Sequence, residues 1–257
     1  MLDGLFQSAP SARVRPSVSL ERTQFAALPD EERRELESAA MPAYDVRSNT
    51  DVLREGDTTD QLYVMVEGWA CRYKTMRDGS RQIIGLMVPG DVANLDALLF
   101  GRPGYGVRVF GAARVVAIPC DGVLALAERH GRIAKLLMRM ALVENGILGQ
   151  WALCLGRQSA QQRLAHLLCE LDIRLADAED GAGGFVLPLT QEQLADTLGL
   201  TPVHVNRTIQ QLRALGMVVI SNRTVTLPDL PALRNMAEFT PGYLHTGRAK
   251  PDRARTD

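Results

Sequence analysis

The chain has 257 residues, of which 46% are hydrophobic and 23% charged, and its formal net charge at pH 7 is −1. This length and composition predict two modest globular domains and exclude a fibrous or wholly disordered chain. The first residues lack a basic start followed by an apolar run, and no stretch approaches the ~18 apolar residues of a membrane-spanning helix. We therefore expect a cytoplasmic protein without membrane contact.

Both ends of the chain have the composition of disordered segments. Residues 1–18 include the run Ser8-Ala-Pro-Ser-Ala-Arg-Val-Arg-Pro16, and residues 237–257 finish in a run of Arg, Lys, Pro and Asp. Few apolar side chains are present to offset the entropy that ordering would cost. Disorder is predicted for both segments.

Between residues 44 and 119 the sequence has the pattern of an antiparallel β-domain. Five apolar runs predict strands at 62–66, 69–76, 81–88, 106–110 and 114–118. Asp78-Gly79 is a hairpin signal, and Gly56-Asp57 and Gly90-Asp91 mark two further corners. Short strands with repeated corners predict a jelly-roll-like barrel, which we place with its flanking helices at residues 19–127.

A long helix is predicted from about Ile133 to Cys154, in a segment placed at residues 128–156. Its apolar side chains step by three and four residues, at Ile133, Leu136, Met140, Val143 and Ile147. This is the spacing of a coiled-coil seam, which favours a homodimer formed through this helix.

Another face of the same helix is apolar too, with Leu137, Leu142 and Leu148. The alternative is therefore a helix that packs on its own barrel. Gly146 and Gly149 each weaken the helix by about 1 kcal/mol relative to Ala, so either a close backbone approach or a bend is expected there.

Residues 190–227 have the pattern of a winged helix-turn-helix, within a C-terminal domain placed at residues 157–236. A first helix follows Thr190, whose hydroxyl can cap it, and Gly199 permits a sharp turn. A second helix begins at Thr201-Pro202, with Thr as N-cap and Pro at the first helical position. Two short apolar runs around Ser221-Asn222-Arg223 then predict a β-hairpin, the wing.

The second helix has a packing face and a polar face. At 100° per residue, Val205, Ile209 and Leu212 fall on the packing face. The other face carries Val203, Asn206, Arg207, Gln210 and Ala214. Arg can pair with guanine, Asn or Gln with adenine, and an apolar side chain with the thymine methyl group, so this face is predicted to read bases in a major groove.

Four more side chains lie near this predicted surface: Thr190, Thr201, His204 and Arg223. Each is expected either to contact phosphate or to cap a helix, and the sequence leaves these alternatives open. From Thr197 to Pro228 there are three arginines and no carboxylate. This local excess of positive charge favours phosphate contact, although the whole chain has a net charge of −1.

The sequence argues against a bound cofactor. Its four cysteines, which lack any Cys-x-x-Cys spacing, are Cys71, Cys120, Cys154 and Cys169. They do not have the spacing of an iron-sulfur site and are expected to be buried thiols. The four histidines, His130, His166, His204 and His245, all lie outside residues 44–119, which disfavours a metal site or a cupin-like enzyme in the barrel.

The order of barrel, long helix and winged helix, over about residues 19–228, resembles the cyclic-AMP receptor protein and fumarate-nitrate regulator (CRP/FNR) family of bacterial transcription regulators. The segment from Leu187 to Ile209 looks like its DNA-binding signature, and the segment from Ile83 to Asp91 resembles its sensor barrel. The resemblance implies an α+β protein with a cyclic-nucleotide-binding-like barrel, a dimerisation helix and a winged helix-turn-helix. It also implies a homodimer on a two-fold DNA operator, with Arg207 at a DNA-contacting position and RNA polymerase as a protein partner.

The chain departs from the cyclic-nucleotide pocket of that family, which uses Gly-Glu-Leu for the ribose and Arg-Ser or Arg-Thr for the phosphate. Neither motif is present between residues 91 and 108. Asn94 or Asp96 would have to replace the glutamate, and Arg102 or Arg108 the arginine. These four are the candidate effector-binding residues, and the missing groups disfavour cyclic-nucleotide control. Haem is disfavoured as well, because the tempting soft ligand on a barrel strand, Cys71, is a lone cysteine, and a lone strand cysteine more often belongs to the core.

The function that follows is that of a sequence-specific, DNA-binding transcription regulator, not an enzyme. The alternative is a cyclic-nucleotide- or other small-molecule-binding module whose output is a protein contact, and the salt dependence of DNA binding distinguishes the two. Pro202 and Val203 stand where many relatives have Arg and Glu, so the operator is expected to differ from the usual half-site. The sequence leaves open the effector, the target genes and the choice between activation and repression.

Overall fold

The structure is a computed structural model, and it describes residues 19–176 and 184–245. The described residues form two compact units, the first within Met1–Tyr73 and Leu86–Leu136 and the second within Lys74–Gly85 and Leu137–Asp257. The predicted disorder of residues 1–18 falls outside the described residues. Within the described residues, no helix is long and apolar enough to cross a membrane.

The N-terminal part of the chain is the expected antiparallel β-domain. A 3-10 helix at Gln24–Ala27 precedes the regular elements, which are α1 (Asp30–Ala39), β1 (Tyr44–Val46), β2 (Asp51–Leu53), β3 (Gln61–Thr75), β4 (Arg81–Met87), α2 (Ala97–Phe100), β5 (Gly106–Pro119) and α3 (Cys120–Arg129). Strand order in the sheet is β1-β5-β3-β4, and β2 also pairs with β5. Buried apolar side chains of the two long strands, such as Met65, Val107 and Val115, form the core.

Strands β3 and β5 are each continuous where the sequence predicts two shorter strands. Their antiparallel register runs from Gln61 opposite Pro119 to Tyr73 opposite Gly106, with shifts on either side of Glu67. Gly68 has φ +79°, and a Cβ there would lie 2.5 Å from the Ala112 carbonyl oxygen. The predicted strand break is therefore a bulge, which lets the strand bend without ending.

The C-terminal part of the chain begins with α4 (Gly131–Arg157), which runs from the first unit into the second. The elements that follow are α5 (Ala160–Leu175), β6 (Gly184–Val186), α6 (Gln191–Leu198), α7 (Pro202–Ala214), β7 (Val219–Ser221), β8 (Thr224–Thr226), α8 (Leu230–Met236) and a 3-10 helix at Pro241–Leu244. The small sheet has the order β6-β8-β7. Ser159 and Gln162 form a capping box that starts α5 two residues after α4 ends.

The apolar seam that the sequence predicts on α4 is only partly covered by the chain, because Leu136, Val143 and Ile147 are half-buried. Ile133 and Met140 have relative exposures of 0% and 6%, so they are covered within the chain. The exposed apolar side chains are instead Met138, Leu142, Leu148 and Leu153. The period of the predicted seam did not reveal which of the apolar side chains on α4 the chain covers.

The predicted disordered tail begins too early. Residues 237–245 belong to the described structure, with Phe239 and Leu244 buried. The composition of residues 237–257 is dominated by its polar end, which conceals a short aromatic segment capable of packing. The expectation for residues 246–257 falls outside the described residues.

Candidate nucleic-acid interface

Helix α6 begins after Thr190 and ends at Gly199, the two residues that we predicted to cap and to terminate it. The Thr190 hydroxyl oxygen accepts a hydrogen bond from the Gln193 backbone N–H at 3.2 Å, and the Gln193 side-chain oxygen accepts one from the Thr190 N–H at 2.8 Å. This is a capping box, which satisfies two otherwise unpaired donors. Gly199 ends the helix in the left-handed conformation, with φ +62°.

Helix α7 starts and packs much as its sequence predicts. The Thr201 hydroxyl oxygen caps the helix by accepting from the His204 N–H at 3.3 Å. Val205 and Leu212 are fully buried, whereas Ile209 is only half-buried. Thr208 is also fully buried, and its hydroxyl is satisfied by donating to the His204 carbonyl oxygen at 2.8 Å. These contacts fix the rotation of α7 about its axis.

The opposite face of α7 is exposed. Val203 has a relative exposure of 81%, and the side chains of Asn206, Arg207 and Gln210 are exposed as well. In residues 19–176 and 184–245, none of those three polar side chains makes a hydrogen bond or ion pair with the protein. Their donors and acceptors are therefore available to a ligand.

The wing is held by a backbone hydrogen bond to the residue after β6 and by a side chain of α7. Asn222 and Arg223 both have positive φ, at +50° and +65°, which forms a tight two-residue turn between β7 and β8. The Arg223 carbonyl oxygen accepts from the Leu187 N–H at 2.8 Å, and Arg213 Nη2 donates to the Ile220 carbonyl oxygen at 3.2 Å. The exposed Arg223 side chain thus projects from a fixed tip, and half-buried His204 lies near the start of α7.

Two of the four predicted effector residues have structural roles in the β-domain. Asn94 is fully buried, and its amide accepts from the Tyr63 N–H and donates to the Gln61 carbonyl oxygen, each at 2.8 Å. Asp96 precedes α2 and accepts from the Tyr105 hydroxyl at 2.6 Å. The Asn94 amide therefore satisfies the backbone at the start of β3.

The two candidate arginines are engaged as well. Arg108 pairs with Asp51 through two hydrogen bonds of 2.7 Å, and Arg102 Nε donates to the Gly56 carbonyl oxygen at 2.7 Å. Burial alone would raise the pKa of Asp51, but hydrogen bonds from Arg108 and Tyr73 outweigh it, so this pKa lies below its ordinary value. In the described part of the β-domain, the four candidates bond to different partners, and none bonds to another of the four.

The sequence analysis missed a further arginine in this domain. Arg72 is only 8% exposed, donates to the carbonyl oxygens of Ala93 and Val92 at 2.7 and 3.0 Å, and lies 5.1 Å from the centre of the Tyr105 ring. A single arginine inside an apolar strand gives no local signal of this arrangement. The Arg72 side chain holds the turn after β4 against β3.

All four cysteines are free and buried, as predicted. Burial raises the pKa of the Cys169 thiol to about 12, and the pKa values of Cys120 and Cys154 are raised mainly for the same reason. A raised pKa keeps a thiol protonated at neutral pH and disfavours its use as a ligand or nucleophile. The described residues contain no group of three or more His, Cys, Asp or Glu side chains placed to hold a metal ion.

Known sequences match both halves of the chain. A family model described as a Crp-like helix-turn-helix domain matches residues 162–236, and one described as a cyclic nucleotide-binding domain matches residues 45–130. The transcriptional activator protein FnrL of Cereibacter sphaeroides is 31% identical over 71% of this chain and 75% of its own length. The chain belongs to the CRP/FNR family. The nitrogen fixation regulation protein FixK of Bradyrhizobium diazoefficiens is 29% identical over 71% of this chain and 76% of its own length.

Solved structures agree with this CRP/FNR assignment. FixK2 from Bradyrhizobium japonicum has a TM-score of 0.72 and 27% sequence identity over 78% of this chain and 98% of its own. CLP of Xanthomonas campestris has a TM-score of 0.62 at 17% identity and supports the fold alone. The chain is thus a DNA-binding transcription regulator of CRP/FNR type, and its relatives are regulators rather than enzymes.

Proposed function

We propose that this CRP/FNR regulator acts as a homodimer on a two-fold operator, with α7 of each subunit in a major groove. One observation carries the proposal: α7 exposes Asn206, Arg207 and Gln210 on a single face while Val205 and Leu212 anchor the opposite face. A rigid helix with unengaged Asn, Arg and Gln side chains suits the pattern of donors and acceptors on base edges.

The residues of this surface divide by expected role. Arg207, Asn206, Gln210 and Val203 are proposed to contact bases. His204 and Arg223 are proposed to contact phosphates, because they lie at the start of α7 and at the wing tip. Thr190 and Thr201 cap their helices, and the N–H groups that each cap leaves at a helix N-terminus suit a phosphate.

The proposed dimer contact is the exposed apolar face of α4, within the dimerisation segment at residues 128–156. Met138 and Leu142 are 64% and 63% exposed, and Leu153 is 51% exposed. Together with Gly149 they fall within about 60° of the helix surface. A Cβ on Gly149 would have no neighbour within 4 Å, so a second helix can approach closely there. For such a dimer, we expect the two half-sites of the DNA operator to lie about 34 Å apart on one face of the duplex.

We also propose that cyclic nucleotides are not the effector of the β-domain at residues 19–127. A cyclic phosphate needs a cation that is free to pair with it, but the Arg108 guanidinium already pairs in a bidentate manner with Asp51. Binding would have to break that pair and expose a carboxylate to the phosphate. The expected protein partner is RNA polymerase, since the relative FnrL is named a transcriptional activator.

The first test is selection of bound sequences from a random duplex pool by purified full-length protein without ligand, followed by salt-titrated affinity for the selected site. We expect a two-fold motif, and an affinity that falls steeply with salt because phosphate contacts release counterions. Selection of a single half-site that is bound by a monomer would contradict the proposed dimer. Absence of enrichment, together with salt-independent binding to a protein partner, would favour the alternative of an interaction module.

A further inference from the structure

The segment after the winged helix folds back onto α4 and α5. We call residues 237–245 the C-terminal strap; they follow the region that the helix-turn-helix family model matches, which ends at residue 236. The Ala237 carbonyl oxygen accepts from Gln158 Nε2 at 2.9 Å, and the His245 carbonyl oxygen accepts from Arg139 Nη2 at 2.8 Å. The strap is therefore held at one end by the junction between α4 and α5, and at the other by the middle of α4.

One buried carboxylate joins all three segments. Glu170 of α5 is fully buried, and its Oε2 accepts from Trp151 Nε1 of α4 at 3.0 Å and from the Tyr243 hydroxyl of the strap at 2.9 Å. Its Oε1 accepts from Arg174 at 3.1 Å. A buried carboxylate is costly unless it is fully paired, so loss of either partner segment would be penalised. The side chain thus acts as a shared anchor.

The Tyr243 hydroxyl extends this network to a buried histidine. His166 Nε2 lies 3.0 Å from that hydroxyl oxygen, while His166 Nδ1 is buried and makes no hydrogen bond within the described residues. Because the hydroxyl hydrogen points to Glu170, a neutral His166 with its proton on Nε2 completes the chain. Burial lowers the pKa of His166, in keeping with the neutral form. The rings of Tyr243 and Phe239 pack against the imidazole, with centroids 5.9 and 5.0 Å away.

Backbone geometry shows that the strap is tightly constrained. Glu238 and His245 have positive φ, at +50° and +48°, and neither is glycine. Such conformations cost energy and persist only where surrounding contacts fix them. In the middle of α4, a Cβ on Gly146 would lie 3.2 Å from the Tyr243 carbonyl oxygen. Gly146 is therefore explained by the close approach of the strap, which was one of the two alternatives left open by the sequence.

We propose that the C-terminal strap sets the angle between α4 and α5, and thereby the distance between the two winged helices of a dimer, with Tyr243 as its positioning residue. The strap contacts both sides of the junction at residues 157–159, so the junction cannot bend without separating Tyr243 from Glu170 or from α4. This proposal rests on the dimeric function proposed above.

The test compares operators whose half-sites stand at the selected spacing or one base pair further apart. A junction held at one angle prefers one spacing, whereas a free junction tolerates both. We expect the full chain to prefer the selected spacing about tenfold, and a protein truncated after Ala237 to prefer it less than about threefold. Truncation after His245, which removes only residues 246–257, is the matched control and should keep the tenfold preference.

The Tyr243→Phe variant keeps the ring and removes only the hydroxyl that joins Glu170 to His166. We expect it to lose a large part of the spacing preference while its circular dichroism and dimeric state stay unchanged. If the truncated protein does not fold, the spacing preference of the Tyr243→Phe variant alone tests the proposal. Equal weakening at both spacings, with an unchanged preference, would overturn the proposal because it indicates a merely structural role. No spacing preference in the full chain would instead contradict the dimeric function itself.

Discussion

The winged helix and the β-domain both contain arginine and amide side chains, but they use them in opposite ways. On α7, Asn206 and Arg207 are exposed and make no bonds within the described residues. In the β-domain, Asn94 bonds to the backbone of β3 and Arg108 pairs with Asp51. The first region leaves its polar groups for a ligand, whereas the second uses them to hold itself together.

The type of a residue therefore does not identify a binding site until the hydrogen-bond and ion-pair partners of its side chain are known. Both regions match family models, one described as a helix-turn-helix domain and the other as a cyclic nucleotide-binding domain. Among the predicted site residues that the structure describes, the polar side chains on α7 are without protein partners, whereas those of the β-domain are hydrogen-bonded. This contrast supports the proposal that the winged helix reads DNA and that the β-domain does not respond to a cyclic nucleotide.

Disrupting the proposed dimer should change DNA binding most, because each winged helix would then bind alone. Leu142→Glu places a charge in the middle of the exposed α4 face, and we expect a monomer by analytical ultracentrifugation. Operator affinity should fall by about 100-fold or more, because the second half-site no longer adds to the first. Leu99→Glu, at a leucine that is 77% exposed on α2, is the control and should remain dimeric. A dimeric Leu142→Glu protein would exclude this face as the contact.

On α7, loss of a polar side chain that is unpaired within the described residues should affect DNA recognition. Arg207→Ala should weaken specific binding by about 1 to 3 kcal/mol and relax the preference at one base pair, with little change in the free energy of unfolding. Binding to a library of single-base operator variants measures both. Arg213→Ala removes an equal charge from the same helix, but it should weaken all sequences about equally, since Arg213 faces the wing. Unchanged operator affinity for Arg207→Ala would show that another face reads the DNA.

In the β-domain, the corresponding change should affect stability instead of DNA recognition. Asp51→Asn removes the charge that pairs with Arg108, and we expect a loss of about 2 kcal/mol in the free energy of unfolding of this domain, measured in urea. Because folding lowers the pKa of Asp51 below 3.8, its contribution is complete above that pH and is lost as the pH falls through the folded value. The acid-induced loss of stability should therefore be shallower in Asp51→Asn.

The exposed carboxylate Asp45 on β1 provides the control for that measurement. Asp45→Asn should change the free energy of unfolding by less than about 0.5 kcal/mol. Equal effects of the two substitutions would mean that the Arg108–Asp51 pair contributes no more than a surface charge does.

For cyclic AMP we expect no measurable effect on the protein. Cyclic AMP at about 1 mM should shift neither the thermal unfolding temperature nor the operator affinity of the parent protein, because a ligand stabilises only the state that it binds. A rise in unfolding temperature that grows with ligand concentration would contradict our proposal for the β-domain. It would also show that the Arg108–Asp51 pair opens for a phosphate.

The features that could be predicted from the sequence depend on neighbouring residues. Thr201-Pro202 fixes where α7 begins, so the face that carries Asn206 and Arg207 follows from helical geometry. The role of Asn94 depends on Tyr63, 31 residues away, and that of Arg108 on Asp51, 57 residues away. Such pairings have no signature in a single sequence.

Two expectations on the C-terminal side were limited in the same way. The sequence showed two apolar faces on α4, but not that the chain buries Ile133 and Met140 of the predicted seam and leaves Leu142 of the other face exposed. The strap was assigned to a disordered tail because the partner that orders Tyr243 is Glu170, 73 residues earlier. Local patterns identified the elements, and distant contacts decided which faces they cover.

The exposure of the proposed DNA-reading face on α7 has an evolutionary consequence. Val203, at 81% exposure, and its polar neighbours contribute little to the packing that holds the helix in place. Under the proposed function, substitutions there change which operator is recognised at almost no cost in stability. After gene duplication, daughter regulators can therefore diverge rapidly in their target sites while Val205, Thr208 and Leu212 preserve the same scaffold.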